Sequence, residues 1–332
     1  GFGMTFNNVG GTVNLTGNMT ITNSSNTGLS VANSTAGAAF AFSGGTKTIN
    51  TGGLTAVSLT GNTGSTINFT GGGLDIDTTS GPGFVATGGG TVTVQGTGNS
   101  VTTTTGRAVQ IDGTNIGAAG VTFQSISTNG ASNAINLRNT GSSGFFAVTG
   151  VGVTNGSGGT IQNITGADMF DETPEASGRG AAIYLENATD VRLANIQVQN
   201  TSNFGLRGFG VNRMSLINVD FTGTHGDNAG PDEGVFYVND LTGTVGISGG
   251  TFRGGIEDSI YIDNDGISGT LNLTITGATI TTGDGANAAR GNNGITIIAD
   301  GGTVNGSIHT NTFTAAVASH IQLVSEGTAN FG

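Results

Sequence analysis

One short pattern recurs along the whole chain: a small residue, an apolar one, any residue, a second apolar one, then a turn residue. It reads Leu29-Ser30-Val31, Val57-Ser58-Leu59, Phe84-Val85-Ala86, Val109-Gln110-Ile111 and Ile135-Asn136-Leu137. After a gap come Ile183-Tyr184-Leu185, Leu206-Arg207-Gly208, Phe236-Tyr237-Val238, Ile260-Tyr261-Ile262, Ile295-Thr296-Ile297 and Ile321-Gln322-Leu323. Successive first residues are 28, 27, 25, 26, 48, 23, 30, 24, 35 and 26 positions apart. The 48 is two ordinary steps or one step with a long insertion. A return of one strand type at a few dozen residues is the mark of a stacked repeat architecture.

One or two further strands fit between markers, such as Thr91-Val92-Thr93-Val94, Val121-Thr122-Phe123 and Leu271-Asn272-Leu273-Thr274-Ile275. Each alternates apolar and polar residues, which turns one face inward and one outward. Gly, Asn and Asp stand at the joins, where corners demand positive φ. Three short strands per step describe one coil of a parallel β-helix. No single coil buries its own apolar face, so each needs neighbours above and below. Composition agrees: 63 Gly, one Lys and 9 % charged residues, against roughly 25 % in an ordinary domain, leave little from which to build helices. The expected fold is all-β, a parallel β-helix (β-solenoid) of about a dozen coils of roughly 25 residues. A β-sandwich is the alternative, since its strands also recur at short intervals. The chain reads as one domain over 1–332 and as a segment of something longer, because it opens at Gly1 and ends within the pattern at Phe331-Gly332. Residues 1–165 form low-charge regular coils and 166–332 coils with longer acidic loops.

Segments such as GGGLDIDTTSGPGFVATGGGTVTVQGTGNSVTTTTG, GVTFQSISTNGASNAINLRNTGSSG and GGTIQNITG resemble the β-strand-repeat regions of very large bacterial surface proteins. Those regions belong to the pectate-lyase-like right-handed parallel β-helix superfamily, with autotransporter passengers and filamentous adhesins. The likeness covers nearly the whole chain. It implies right-handed coils, export and an extracellular or cell-surface location. It does not fix function, since that superfamily hosts lyases, hydrolases, phage tailspikes and inert stalks.

The net charge of −12 and pI near 4.3 argue against binding a phosphate backbone. No apolar run reaches the ~18 residues of a membrane-spanning helix, and without Cys there are no disulfides or thiolate metal sites. The acids concentrate after Gly166: Asp168, Asp171, Glu172 and Glu175 precede one marker; Asp227, Asp232 and Glu233 precede another; Glu257 with Asp258, and Asp284, precede two more. Stacked markers would align these loops into an acidic ledge. Asp263-Asn264-Asp265-Gly266 offers alternating oxygen ligands and a turn Gly, as Ca²⁺ sites do. Asp240, Asp258, Asp263 and Asp265 are therefore the candidate metal ligands, and Ca²⁺ the one cofactor under consideration. Tyr184, Tyr237 and Tyr261 hold the central outward position of three markers and could form a stacking strip for sugars. No residues are assigned to catalysis, since the paired-Asp, Gly-His-Gly and Arg-Ile-Lys signatures of polygalacturonase-like enzymes are missing. The expected role is a non-catalytic extracellular structural or adhesive rod of a bacterial surface protein. The alternative is a carbohydrate-binding or polysaccharide-degrading β-helix using the acidic loops, and after it an ice- or mineral-binding solenoid. Expected partners are neighbouring coils of the same long protein, further copies of itself, or surface glycans.

Overall fold

A computed structural model describes residues 3–22, 24–169, 173–228, 233–264, 269–282, 292–315, 317–326 and 330–332. Among these the chain is all strand and turn, with no helix, let alone one long and apolar enough to cross a membrane. The strands form three sheets of 12, 12 and 11, each holding every third strand of the chain, and every pairing is parallel. The result is a β-solenoid of about 11 turns of roughly 27 residues. At an inter-strand spacing of about 4.8 Å it makes a rod roughly 50 Å long.

All eleven markers lie in one sheet, in register on their first residues, from Leu29 over Val57 to Ile295 over Ile321. The long interval resolves directly: Ile135 pairs with Ile183, so those 48 residues are one turn carrying insertions. A twelfth strand, Met4–Asn7, pairs below Leu29–Ala32. It carries the same signature, Gly3-Met4-Thr5-Phe6, which the sequence reading passed over.

The register explains the signature. The residue before most markers is squeezed between turns and is small, as at Gly28, Ala56, Gly83, Ala108, Ala134, Ala182 and Gly205, whereas Val235 and His320 hold that position before Phe236 and Ile321. A Cβ on Gly83 would lie 2.5 Å from Val101 and 2.6 Å from the Ala108 carbonyl. The corner after the marker is left-handed in turn after turn, at Asn8, Asn33, Gly61, Gly88, Gly113, Asn139, Asn187, Gly210 and Asp240. These are the residue types that tolerate positive φ. Corner Asn side chains also bond to Asn in the turn below, Asn187 to the corner Asn139 at 3.0 Å and Asn33 Nδ2 to Oδ1 of Asn7, the residue before the Asn8 corner, at 3.1 Å.

Inward positions build one core running from Met19 to Val304. In the first half it carries a line of rings, with Phe42 stacked on Phe69 at 5.0 Å and edge contacts from Phe69 to Phe84 and Phe84 to Phe123. Lys47 is the exception, an ammonium pointing inward where Met19 and Leu74 sit in the turns on either side. Its Nζ donates to the carbonyls of Gly44, Thr70 (2.9 Å) and Gly72 (2.6 Å), which satisfies the buried charge with three oxygens.

Candidate functional site

The outer face of the marker sheet changes character after residue 166. Here the second, outward position of four successive strands holds Tyr184, Arg207, Tyr237 and Tyr261. The fourth position holds Glu186, Phe209, Asn239 and Asp263. Both series lie on one face because strand side chains alternate.

The tyrosines do share one outward column, but most of it is covered. Tyr184 is fully buried and Tyr237 nearly so, at 0 % and 4 % exposure, and only Tyr261 keeps partial access. Tyr184 and Tyr237 join Met169, Ala181, Phe204 and Phe209 in a second apolar cluster outside the coil. Arg207 stands between the tyrosines, with its guanidinium 3.8 Å from the Phe209 ring and 4.4 Å from the Tyr237 ring. It donates to the carbonyls of Gly208 (2.8 Å) and Tyr237 (3.3 Å). A fully buried guanidinium between rings rigidifies this layer through cation–π attraction. The open stacking strip expected from sequence is therefore narrowed to Tyr261, which stacks on Tyr237 at 4.2 Å.

The cover is the connection between Thr160–Ile164 and Ile183–Glu186. Its described residues 173–178 lie across the outward face. Asn136 Nδ2 donates to the Ala176 carbonyl at 3.2 Å, Asn133 donates to the Ser177 carbonyl, and the Glu175 amide donates to the Tyr184 hydroxyl at 2.8 Å. That hydroxyl donates onward to Glu186 at 3.1 Å. Burial first, then Glu186, raises the Tyr184 phenol well above its ordinary range. Glu186 also ends an ion ladder along the fourth position, in which Arg138 bridges Asp112 and Glu186 at 2.8 Å each.

Past the covering segment opens a cleft of about 380 Å³. Glu186, Asn187, Asn239, Asp240 and Asp263 line it with carboxylate and amide groups, and Phe209 and Pro174 supply apolar surface. The cleft gathers two of the four expected metal ligands, Asp240 and Asp263. The Asp240 amide also donates to the Asp263 carbonyl at 2.8 Å. Asp258 sits elsewhere, at the opposite end of the marker strands, in a small hollow with Tyr237, Tyr261 and Glu257. It is buried, its Oδ1 accepts the Asn293 amide at 2.7 Å, and burial raises its carboxyl. Asp265 lies outside the described residues, as do Asp171, Glu172, Asp232 and Asp284 of the expected ledge. The separation of Asp258 from Asp240 and Asp263 has a simple cause. Residues before and after one strand emerge at opposite edges of the sheet.

A second concavity, of about 410 Å³, escaped sequence reasoning altogether. It lies on the outer face of the sheet that holds Phe146–Val148, Thr189–Ala194 and Asn212–Ile217, where Phe145, Ala147 and Ile217 form an apolar floor, and the Arg192 guanidinium sits 4.2 Å over the Phe145 ring. Alternation alone marks Ile217 as outward, at 51 % exposure, and that was the one signal available. His225 is buried with Nδ1 against the Thr201 hydroxyl at 2.9 Å, whereas His309 and His320 are exposed. In comparisons with protein-family models, curated proteins and solved structures, nothing matches this chain.

Proposed function

We propose that this chain is an extracellular, cell-surface rod of the right-handed, pectate-lyase-like kind, drawn from a bacterial surface protein. Its first half acts as a spacer and its second half presents a recognition face. One observation carries the reading. A covering segment, a buried aromatic–Arg layer and a carboxylate–amide cleft coincide on one stretch of one sheet, from residue 173 to residue 263. Carboxylates and amides held on a rigid surface suit hydroxyl-rich ligands such as glycans, and the apolar groove at Phe145 and Ile217 offers a further contact area.

The test is a glycan-panel binding measurement on the full chain beside its Asp240→Asn/Asp263→Asn variant. Retained glycan on the parent and at least tenfold weaker retention on the variant is the expected outcome. A panel that stays blank, while cells displaying the chain still attach to surfaces, moves recognition to the apolar groove. No binding and no attachment overturns the adhesive role. A polysaccharide-degrading activity would show itself as new reducing or unsaturated ends released from any glycan that binds.

A further inference from the structure

The edge where the chain enters the marker sheet lies across that sheet from the cleft, and it gathers carboxylates from two connections. Asp168 belongs to the connection between Thr160–Ile164 and Ile183–Glu186, and Asp227 and Glu233 to that between Asp220–His225 and Phe236–Asn239. One carboxylate oxygen from each lies within 4.8 Å of the other two. Asp168 and Asp227 are exposed, whereas Glu233 is fully buried. Glu233 Oε2 accepts the backbone amides of Asp227 at 2.7 Å and Asn228 at 3.0 Å. Its Oε1, equally buried, has no hydrogen-bond partner among the described residues.

Such an oxygen is expensive. Buried acceptors are normally satisfied, and this one belongs to a carboxylate that faces two others of like charge. Burial foremost, then the neighbouring Asp227 and Asp168, raises the Glu233 carboxyl to about 7 against the pull of its two amide donors. A bound cation would satisfy the orphan oxygen and cancel the repulsion together. The spacing suits one: oxygens about 2.4 Å from a single Ca²⁺ are at most about 4.8 Å apart. The all-oxygen donor set selects a hard ion over zinc or copper. Open access at Asp168 and Asp227 leaves room for the waters that complete such a shell.

We propose that Asp168, Asp227 and Glu233 bind one divalent cation of the calcium class, which ties the connection covering Tyr184 to the Asp227–Glu233 connection further along the rod. Asp168 adjoins Met169, which packs in the aromatic cluster with Tyr184, so the ion would anchor the cover at its base. This site shares no residue with the cleft and stands independently of any glycan recognition.

The experiment is calorimetric titration of the chelator-treated full chain with CaCl₂ and, separately, MgCl₂, beside thermal melts. Expected are one ion per chain and a melting temperature raised by roughly 3 °C or more at a hundredfold excess over Kd. Asp168→Asn and Asp227→Asn, both at exposed positions, should each weaken binding at least tenfold while melting like the parent in chelator. Glu233→Gln should lose binding too, and Asp240→Asn/Asp263→Asn should keep it. Neither heat nor melting shift with either ion up to about 5 mM, the weak end for extracellular calcium modules, would overturn the proposal. So would an undiminished shift in the Asp168 and Asp227 variants.

Discussion

At the scale of single residues, corner conformation and buried charge set what the chain tolerates. Asn187 turns the corner at φ 48° and donates to Asn139 in the turn below. Asn187→Val should cost about 2 kcal/mol, since a β-branched side chain is strained there. Asn187→Gly should cost under about 1 kcal/mol. Urea denaturation of the two variants checks the ordering. Lys47 is a sharper case. Burial lowers its pKa below 10.5, so in the window between that lowered value and 10.5 the unfolded chain holds a proton that the folded chain has released. Stability should then rise with pH through that window, and the charge carries its penalty below it. Lys47→Met should erase the dependence. It should also cost about 2–4 kcal/mol at pH 7 by orphaning the carbonyls of Gly44, Thr70 and Gly72. Thermal melts of parent and variant from about pH 7 to 10 test both effects. The corner residues were legible in sequence because Asn and Gly at the joins follow from backbone sterics alone. The inward Lys was not, because its three acceptors come from two different turns.

At the scale of elements, strands and their register were readable and the covering segment was not. A marker such as Ile260-Tyr261-Ile262 announces its inward face by period two. The path of residues 173–178 depends instead on Asn133 and Asn136, some 40 residues earlier, reaching the carbonyls of Ser177 and Ala176. No local pattern encodes such contacts. For the same reason the tyrosine column could be located while its burial could not, and Asp258 could be grouped with Asp240 and Asp263 although the strand between them holds it apart. Tyr184 is the pin of the cover, since its hydroxyl accepts the Glu175 amide and donates to Glu186. Tyr184→Phe should leave the rod folded, with a loss of about 1–2 kcal/mol. It should also speed protease cleavage within 165–182 several-fold. Cleavage at the parental rate would mean that the segment is held by its carbonyl contacts alone.

At the scale of the molecule, each turn touches mainly its two neighbours, so stability accumulates along the axis as in other solenoids. Position on the rod should then decide what a given core side chain is worth. Leu137 and Leu323 are the same residue in the same column of the marker sheet. Leu137 is completely buried between turns, whereas Leu323, on the terminal turn, is 52 % exposed. Truncating Leu137 removes its contacts above and below and leaves a cavity that a continuous ladder of parallel strands cannot close by collapsing. Leu137→Ala should therefore cost about 2–5 kcal/mol, and Leu323→Ala no more than about 0.5 kcal/mol. Amide exchange of the folded chain adds the matching kinetic view, with protection highest around Leu137 and falling toward the Ile321–Ser325 strand. Equal losses for the two leucines, or uniform protection along the rod, would show that the turns melt as one block, and nearest-neighbour coupling would then be the wrong description of how this rod holds together.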